Sequence, residues 1–223
     1  MTERVLCVAA HPDDEVLFAG GTMARHADAG DVVRSFILAE GATSRGAKRV
    51  EVDALREAAA ISAKILGIDS LDFGGLPDQR LDDMPLLDVI KLIEAQVTQF
   101  QPTVVYTHHG GDLNLDHQIV HRAVITACRP LPGNSLKAVY AGETLSSTEW
   151  AAPSTCQGFV PQHFVTIENS LARKLEALRA YQAEMRAFPH PRSIEAVEAL
   201  ARVRGATIGV TAAEAFMVER SIR

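Results

Sequence analysis

The stretch VLCVAAHPDDEVLFAGG, residues 5–21, joins an apolar run to a helical segment and decides the predicted fold. Its first six residues are typical of a buried strand, and the period of the apolar residues becomes helical from residue 16 onward. Pro12 disfavours a helical conformation at His11 and suits the first helical position, so we expect His11 to end the strand and the acids 13–15 to form the first helical turn. Polar side chains thus follow directly on a strand, at the edge where open α/β sheets bind ligands.

The same alternation of short apolar runs and helical segments continues along the chain. Strands are predicted at residues 5–10, 32–40, 71–73, 103–109, 138–140 and 163–168, and helices at 16–29, 50–66, within 86–100, from about 117 and at 171–186. Each crossover between parallel strands must return over the sheet, so this order predicts an α/β fold with a mostly parallel sheet and helices on both faces. We expect residues 1–223 to form one domain.

The composition argues against several classes of function. The net charge is −6 and no run of Lys or Arg exceeds two residues, so nucleic acid is not an expected partner. The apolar stretch at 5–10 is too short for a signal-peptide core or a membrane span. The three cysteines, Cys7, Cys128 and Cys156, lack CxxC spacing and predict neither a disulfide framework nor a cysteine-built zinc site. These features favour a cytoplasmic protein.

A second polar cluster, THHGGDLNLDHQIVH at residues 107–121, again lies between an apolar strand and a helical segment. It is therefore expected at the same edge of the sheet as the first cluster. His117 is the natural partner of His11 and Asp14, because two histidines and one carboxylate with a position left for water form the ligand set of catalytic zinc. Asp13, adjacent to Asp14 but pointing elsewhere, is the predicted base for that water.

Each of these residues also has a structural interpretation. Acids in a first helical turn complement the helix dipole, and a histidine before a proline can simply end a strand. HQIVH resembles a zincin helix but has Gln118 where that motif requires a glutamate base, so we reject that interpretation. His121 is interpreted as a partly buried surface residue or a group behind a ligand.

AHPDDE near the start of the chain, combined with GDLNLDH downstream, resembles the PIG-L (LmbE-like) deacetylases. Further similarity covers LREAAAISAKILGI at 55–68, FGGLPD at 73–78, PHPRS at 189–193 and AEAF at 213–216. The resemblance implies a Rossmann-like fold, and a zinc site with His11, Asp14 and His117 as ligands and Asp13 as general base. It also implies that Arg56 helps to hold substrate, although a surface salt bridge explains an arginine there equally well.

The chain departs from the family pattern at Asn114, where many members have a histidine that is thought to stabilise the tetrahedral intermediate. An amide N–H can donate a hydrogen bond to an oxyanion but cannot supply a proton as imidazolium does. The general acid is therefore left open among Asp13, His190 and His108, and the two histidines are also predicted to line the substrate pocket. Asp112 and Asp116 are expected to orient neighbours or to cap the following helix.

The predicted function is zinc-dependent removal of an N-acetyl group from an N-acetylglucosamine-type sugar or conjugate, with other divalent metals as alternatives to zinc. Hydrolysis of a non-sugar amide, such as a thiol conjugate, is a second hypothesis. The third is a ligand-binding module without catalysis, but HPDDE stands where a dinucleotide site would have GxGxxG. The resemblance also raises the expectation of a homo-oligomer.

Overall fold

The computed structural model describes residues 2–46, 49–154 and 156–222. The strands in these residues are β1 (Arg4–Ala9), β2 (Val32–Ala39), β3 (Ser70–Leu76), β4 (Val104–His108), β5 (Ala138–Gly142), β6 (His163–Thr166) and β7 (Ala213–Ser221). The helices are α1 (Asp14–Asp28), α2 (Arg49–Leu66), α3 (Leu86–Phe100), α4 (Leu115–Ala127), α5 (Leu171–Ala180) and α6 (Ile194–Ile208). Among the described helices, none is both long and apolar enough to cross a membrane.

The seven strands form one sheet in the order β3-β2-β1-β4-β5-β7-β6. Strands β1 to β5 are parallel, whereas β7 is antiparallel to both β5 and β6. The prediction of a mostly parallel sheet is confirmed. From β1 the chain builds outward to β2 and β3 on one side and to β4 and β5 on the other, so the carboxyl ends of β1 and β4 are neighbours. A ligand crevice opens at such a reversal of strand order.

Helices cover both faces of the sheet, as predicted. Alternate residues of β1 point to opposite sides, and each side belongs to a separate apolar core. Val5, Cys7 and Ala9 pack in the core formed with α1, α2 and α5, whereas Leu6 and Val8 pack in the core formed with α3 and α4. Both halves of the site are therefore held by strands that are packed on two faces.

The C-terminal third differs from the sequence-based prediction in two elements. The helix predicted at 171–186 ends at Ala180, because the backbone of Tyr181 leaves the helical region with a ψ of 49°; its side chain is buried and its hydroxyl donates to Glu15 Oε1 at 2.5 Å. The strand β7 was not predicted, since a charged residue, Glu214, interrupts its short apolar run. Lys174 Nζ lies 2.5 Å from Glu214 Oε1, and this ion pair allows the carboxylate to be buried.

Candidate metal site at the carboxyl ends of β1 and β4

The turn between β1 and α1 brings His11 and Asp14 together. The His11 backbone N–H donates to Asp14 Oδ2 at 2.9 Å, and the same oxygen lies 3.1 Å from His11 Nδ1. Asp13 is the residue before the helix, not part of its first turn as we predict from the sequence, and its φ of 100° lies in a region that costs a non-glycine residue about 1–3 kcal/mol. This conformation separates the directions of the Asp13 and Asp14 side chains.

The second half of the site comes from the start of α4. This helix begins at Leu115, two residues earlier than predicted, and Asn114 caps it by accepting a hydrogen bond from the Asp116 N–H at 2.9 Å. His117 therefore lies in the first turn, where its Nε2 is 3.1 Å from Asp14 Oδ2. One donor atom from each of His11, Asp14 and His117 falls within 4.8 Å of the others, and all three residues are buried.

Each histidine of this cluster faces a buried carboxylate with its other ring nitrogen. His11 Nε2 lies 3.0 Å from Asp116 Oδ2, and His117 Nδ1 lies 3.2 Å from Asp112 Oδ1. Metal-ligating histidines typically have such a partner, which fixes the tautomer and the ring orientation. Asp116 and Asp112 therefore orient the two imidazoles, while the capping that we also considered for them falls to Asn114.

The electrostatics of the cluster favour a cation. Asp14 Oδ1 is buried without a hydrogen-bond partner among the described residues. Burial opposes a charge on His11, but Asp116 and Asp14 outweigh it and raise its pKa to about 10. Burial is outweighed at His117 too, where Asp14 and Asp112 raise the pKa to about 9. In the protein without metal, protons on the two imidazoles thus balance the negative charge of the carboxylates. The donors of His11, Asp14 and His117 fit a divalent metal, which would replace those protons.

A second group, His11 with Asp78 and Asp116, also brings donor atoms within 4.8 Å. Its carboxylates already have partners. Asp116 accepts backbone N–H groups at 2.9 and 3.1 Å, and Asp78 Oδ2 accepts both the hydroxyl and the N–H of Ser44. Because Asp14 keeps an unpartnered oxygen, the group with Asp14 and His117 is the better metal site.

The predicted base, Asp13, is paired with a residue that the sequence analysis missed. Its side chain is 1% exposed, and Arg192 Nη1 donates to Asp13 Oδ2 at 2.8 Å. Burial raises the pKa of Asp13 well above its usual range, although Arg192 opposes this shift. Arg192 lies in the PHPRS segment that supports the family resemblance, so the sequence contains a signal for a functional arginine here. From that segment we predict a role only for the neighbouring His190.

The structure does not place His108 at a substrate surface. The Ala10 N–H donates to His108 Nε2 at 2.8 Å, Nδ1 faces the Thr144 hydroxyl at 3.2 Å, and the ring is stacked on His117 with centroids 3.9 Å apart. Burial and the neighbouring His117 hold the pKa of His108 well below its usual range. His108 is thus packed beneath the site, and the substrate contact or general-acid role that we predict for it stays a prediction.

The other two predicted substrate residues lie in different surroundings. His190 is half-buried, accepts the Arg192 N–H at 3.1 Å and packs edge-on against Trp150 with ring centroids 5.8 Å apart. This contact joins His190 to the backbone of Arg192, the residue whose side chain reaches Asp13. Arg56 lies on α2 with its guanidinium over the Phe73 ring at 5.4 Å, and its contacts within the described residues do not link it to the metal cluster.

The fold and the site together define a class of α/β protein with a candidate metal site of two histidines and one carboxylate at the strand-order reversal. This chain belongs to the PIG-L family, since residues 6–128 match the family described as GlcNAc-PI de-N-acetylase. The resemblance inferred from AHPDDE and GDLNLDH is confirmed, and the protein is a member of a family of deacetylases.

Two relatives match most of the chain. The uncharacterized deacetylase YaiS of Escherichia coli K12 is 29% identical over 185 residues, which cover 80% of this chain and 90% of YaiS. A probable N-acetyl-alpha-D-glucosaminyl L-malate deacetylase 2 of Bacillus cereus is 27% identical over 198 residues, 84% of this chain and 86% of that protein.

Solved structures share the fold over nearly the whole chain. The conserved protein TT1542 from Thermus thermophilus has a TM-score of 0.78 at 26% identity and covers 100% of this chain and 97% of its own. N,N'-diacetylchitobiose deacetylase from Pyrococcus horikoshii has a TM-score of 0.79 at 20% identity, and the match covers 98% of this chain and 84% of that protein. GalB, the 4-carboxy-2-hydroxymuconate hydratase from Pseudomonas putida KT2440, has a TM-score of 0.77 at 23% identity, and the match covers 98% of this chain and 96% of GalB. Because a hydratase also has this fold, the function is inferred from the residues of the site and not from the fold.

Proposed function

We propose that this protein is a zinc-dependent deacetylase that hydrolyses the N-acetyl group of an N-acetylglucosamine-type sugar or sugar conjugate, releasing acetate and a free amine. The observation that carries the proposal is the convergence of His11, Asp14 and His117 next to a buried carboxylate, Asp13, in a chain of the PIG-L family. Sugar substrates are supported by the names of the Bacillus cereus relative and of the Pyrococcus horikoshii deacetylase.

His11, Asp14 and His117 would hold the metal, with Asp116 and Asp112 orienting the two imidazoles. When bound, zinc supplies Lewis-acid polarisation of the amide carbonyl and lowers the pKa of a water molecule. The protein's own contribution is to fix the three donors in a buried position and to exclude bulk water around them.

Asp13 accepts the proton of the attacking water, and the oxygen adds to the acetamide carbon. The Asn114 side chain uses its oxygen to cap α4, so its NH₂ group remains the donor for the developing oxyanion. Asp13 then returns the proton to the nitrogen as the C–N bond breaks. Both ring nitrogens of His108 have hydrogen-bond partners and His190 Nδ1 accepts the Arg192 N–H, so we assign the return of the proton to Asp13, which serves as both base and acid.

We propose that Trp150 and His190, which pack against each other, form a wall that holds the substrate. The indole is 51% exposed and packs edge-on against the imidazole of His190. A flat aromatic surface with a polar neighbour suits a sugar ring, which presents both C–H groups and hydroxyls. We assign the sugar ring to this wall, and Arg56 to a more distant part of the substrate.

Acetate release by the zinc-loaded protein tests the proposal on a panel of free, nucleotide-linked, inositol-linked and lipid-linked N-acetylglucosamine. The controls are a chelated sample and an Asp14→Ala variant, which loses a ligand and should lose both zinc and activity. Release that requires metal supports the proposal and identifies the favoured conjugate. No release from any compound, at one zinc per chain, would refute the sugar substrate and favour a non-sugar amide.

A further inference from the structure

The guanidinium of Arg192 is fixed by contacts from three separate parts of the chain. Its Nη1 donates to Asp13 Oδ2 at 2.8 Å, its Nε donates to the Ser146 hydroxyl at 2.8 Å, and Nη1 is 3.7 Å from Glu184 Oε2. Ser146 lies in the loop after β5, Glu184 lies after α5, and Arg192 itself lies just before α6. The orientation of the guanidinium is therefore set by tertiary packing at both ends, and the side chain is 21% exposed.

Asp13 needs such a partner. Its carboxyl group is buried beside three further acids, Asp14, Glu15 and Glu184, whose negative charges all act on it. Its backbone has a positive φ and precedes the helix, so helical geometry does not fix the side chain. Among the described residues, Arg192 is the cation in contact with this carboxylate, and it approaches from one side through a single oxygen.

We propose that Arg192 is a positioning residue for the catalytic reaction: it binds Asp13 Oδ2, keeps the carboxylate in one orientation and directs Oδ1 towards the attacking water. The proposal rests on the proposed function of Asp13 as the base. Because the Ser146 hydroxyl fixes the Nε end of the guanidinium, the orientation of Asp13 depends on the planar shape of the Arg192 guanidinium as well as on its charge. The same side chain links the base to the loops that carry Trp150 and His190.

Replacement of Arg192 by lysine separates orientation from charge. An ammonium group retains the positive charge but cannot span Asp13 and Ser146 with two fixed N–H directions. We expect kcat to fall by about 10²-fold, the effect typical of a misplaced catalytic group, while KM stays within about threefold. Zinc content should remain one per chain. Ser146→Ala, which removes only the anchor of the fork, should give a smaller loss in kcat and again little change in KM.

Arg204→Lys is the matched control. Arg204 makes a two-pronged ion pair with Glu143, at 2.7 and 2.6 Å, and among the described residues neither partner forms a hydrogen bond or ion pair with Asp13. It should leave kcat and KM unchanged. An Arg192→Lys enzyme with wild-type kcat would overturn the proposal. A raised KM at unchanged kcat would also overturn it, because that result would make Arg192 a substrate-binding residue.

A measurement without substrate tests the contact itself, and it remains informative if the proposed reaction is wrong. Urea unfolding midpoints of the zinc-loaded full chain are compared for Arg192→Gln, Asp13→Asn and the double variant. Arg192→Gln leaves a buried carboxylate uncompensated and should lower the midpoint, and adding Asp13→Asn should recover part of that loss. Additive midpoint shifts would overturn the pairing, whereas coupled shifts in a protein inactive on the whole panel would refute only the deacetylase reaction.

Discussion

Asp116→Asn tests the metal site through a residue that would not itself touch the metal. The Asp116 carboxylate has three contacts: His11 Nε2 at 3.0 Å and two backbone N–H groups, those of Gln79 at 2.9 Å and Leu81 at 3.1 Å. An asparagine has one oxygen in place of two, so its NH₂ group must face at least one of these donors. A lost hydrogen bond to a charged acceptor costs about 1.5–3 kcal/mol.

We expect this change to weaken zinc binding by about 10–100-fold, the usual effect of removing the carboxylate behind a ligating histidine. In free energy this is about 1.4–2.7 kcal/mol, which agrees with the hydrogen-bond estimate. The assay is competition for zinc against a chromophoric chelator at fixed pH. Circular dichroism of each variant shows whether the fold is retained.

Asp31→Asn is the matched control. Asp31 also combines a histidine contact, 2.7 Å to His26 Nδ1, with a backbone N–H bond from Glu3 at 2.8 Å, but it lies outside the metal cluster. Zinc affinity should be unchanged in this variant. If Asp116→Asn binds zinc as tightly as the wild type while folded, the reasoning that assigns the metal to His11, Asp14 and His117 with Asp116 behind them is refuted.

Three further predictions concern the base, the metal and the fold. Asp13→Asn should keep one zinc per chain and lose about 10²–10⁴-fold in kcat, and wild-type acetate release would exclude Asp13 as the base. Zinc requires neutral imidazoles, whereas His11 and His117 have pKa values of about 10 and 9 without metal, so zinc affinity should rise with pH up to about 10 and binding should release protons. Calorimetry in buffers of different ionisation enthalpy measures that release, and its absence would contradict the charge balance described for the cluster. Lys174→Met leaves Glu214 buried without its cation and should lower the free energy of unfolding by about 3–5 kcal/mol in urea, whereas a loss below about 1 kcal/mol would show that the buried pair is not needed.

The sequence by itself determined the fold class and the place of the site. Apolar runs alternating with helical segments require a mostly parallel sheet, and both polar clusters follow directly on strands, so they had to meet at one edge of it. The same logic led from sequence to His11, Asp14 and His117, whose donor atoms the structure brings within 4.8 Å. Local rules were sufficient here because these side chains lie in the turns and first helical turns that follow β1 and β4.

Only the tertiary structure decided what surrounds those residues. Arg192 reaches Asp13 across 179 residues of sequence, and Asp116 faces His11, 105 residues away, instead of its neighbour His117. His108 ends a strand in the motif, yet packing turns it beneath the site. These outcomes depend on side-chain directions and on loops from distant elements. Both are set by the packing of the cores on the two faces of the sheet, and no local pattern of residues specifies them.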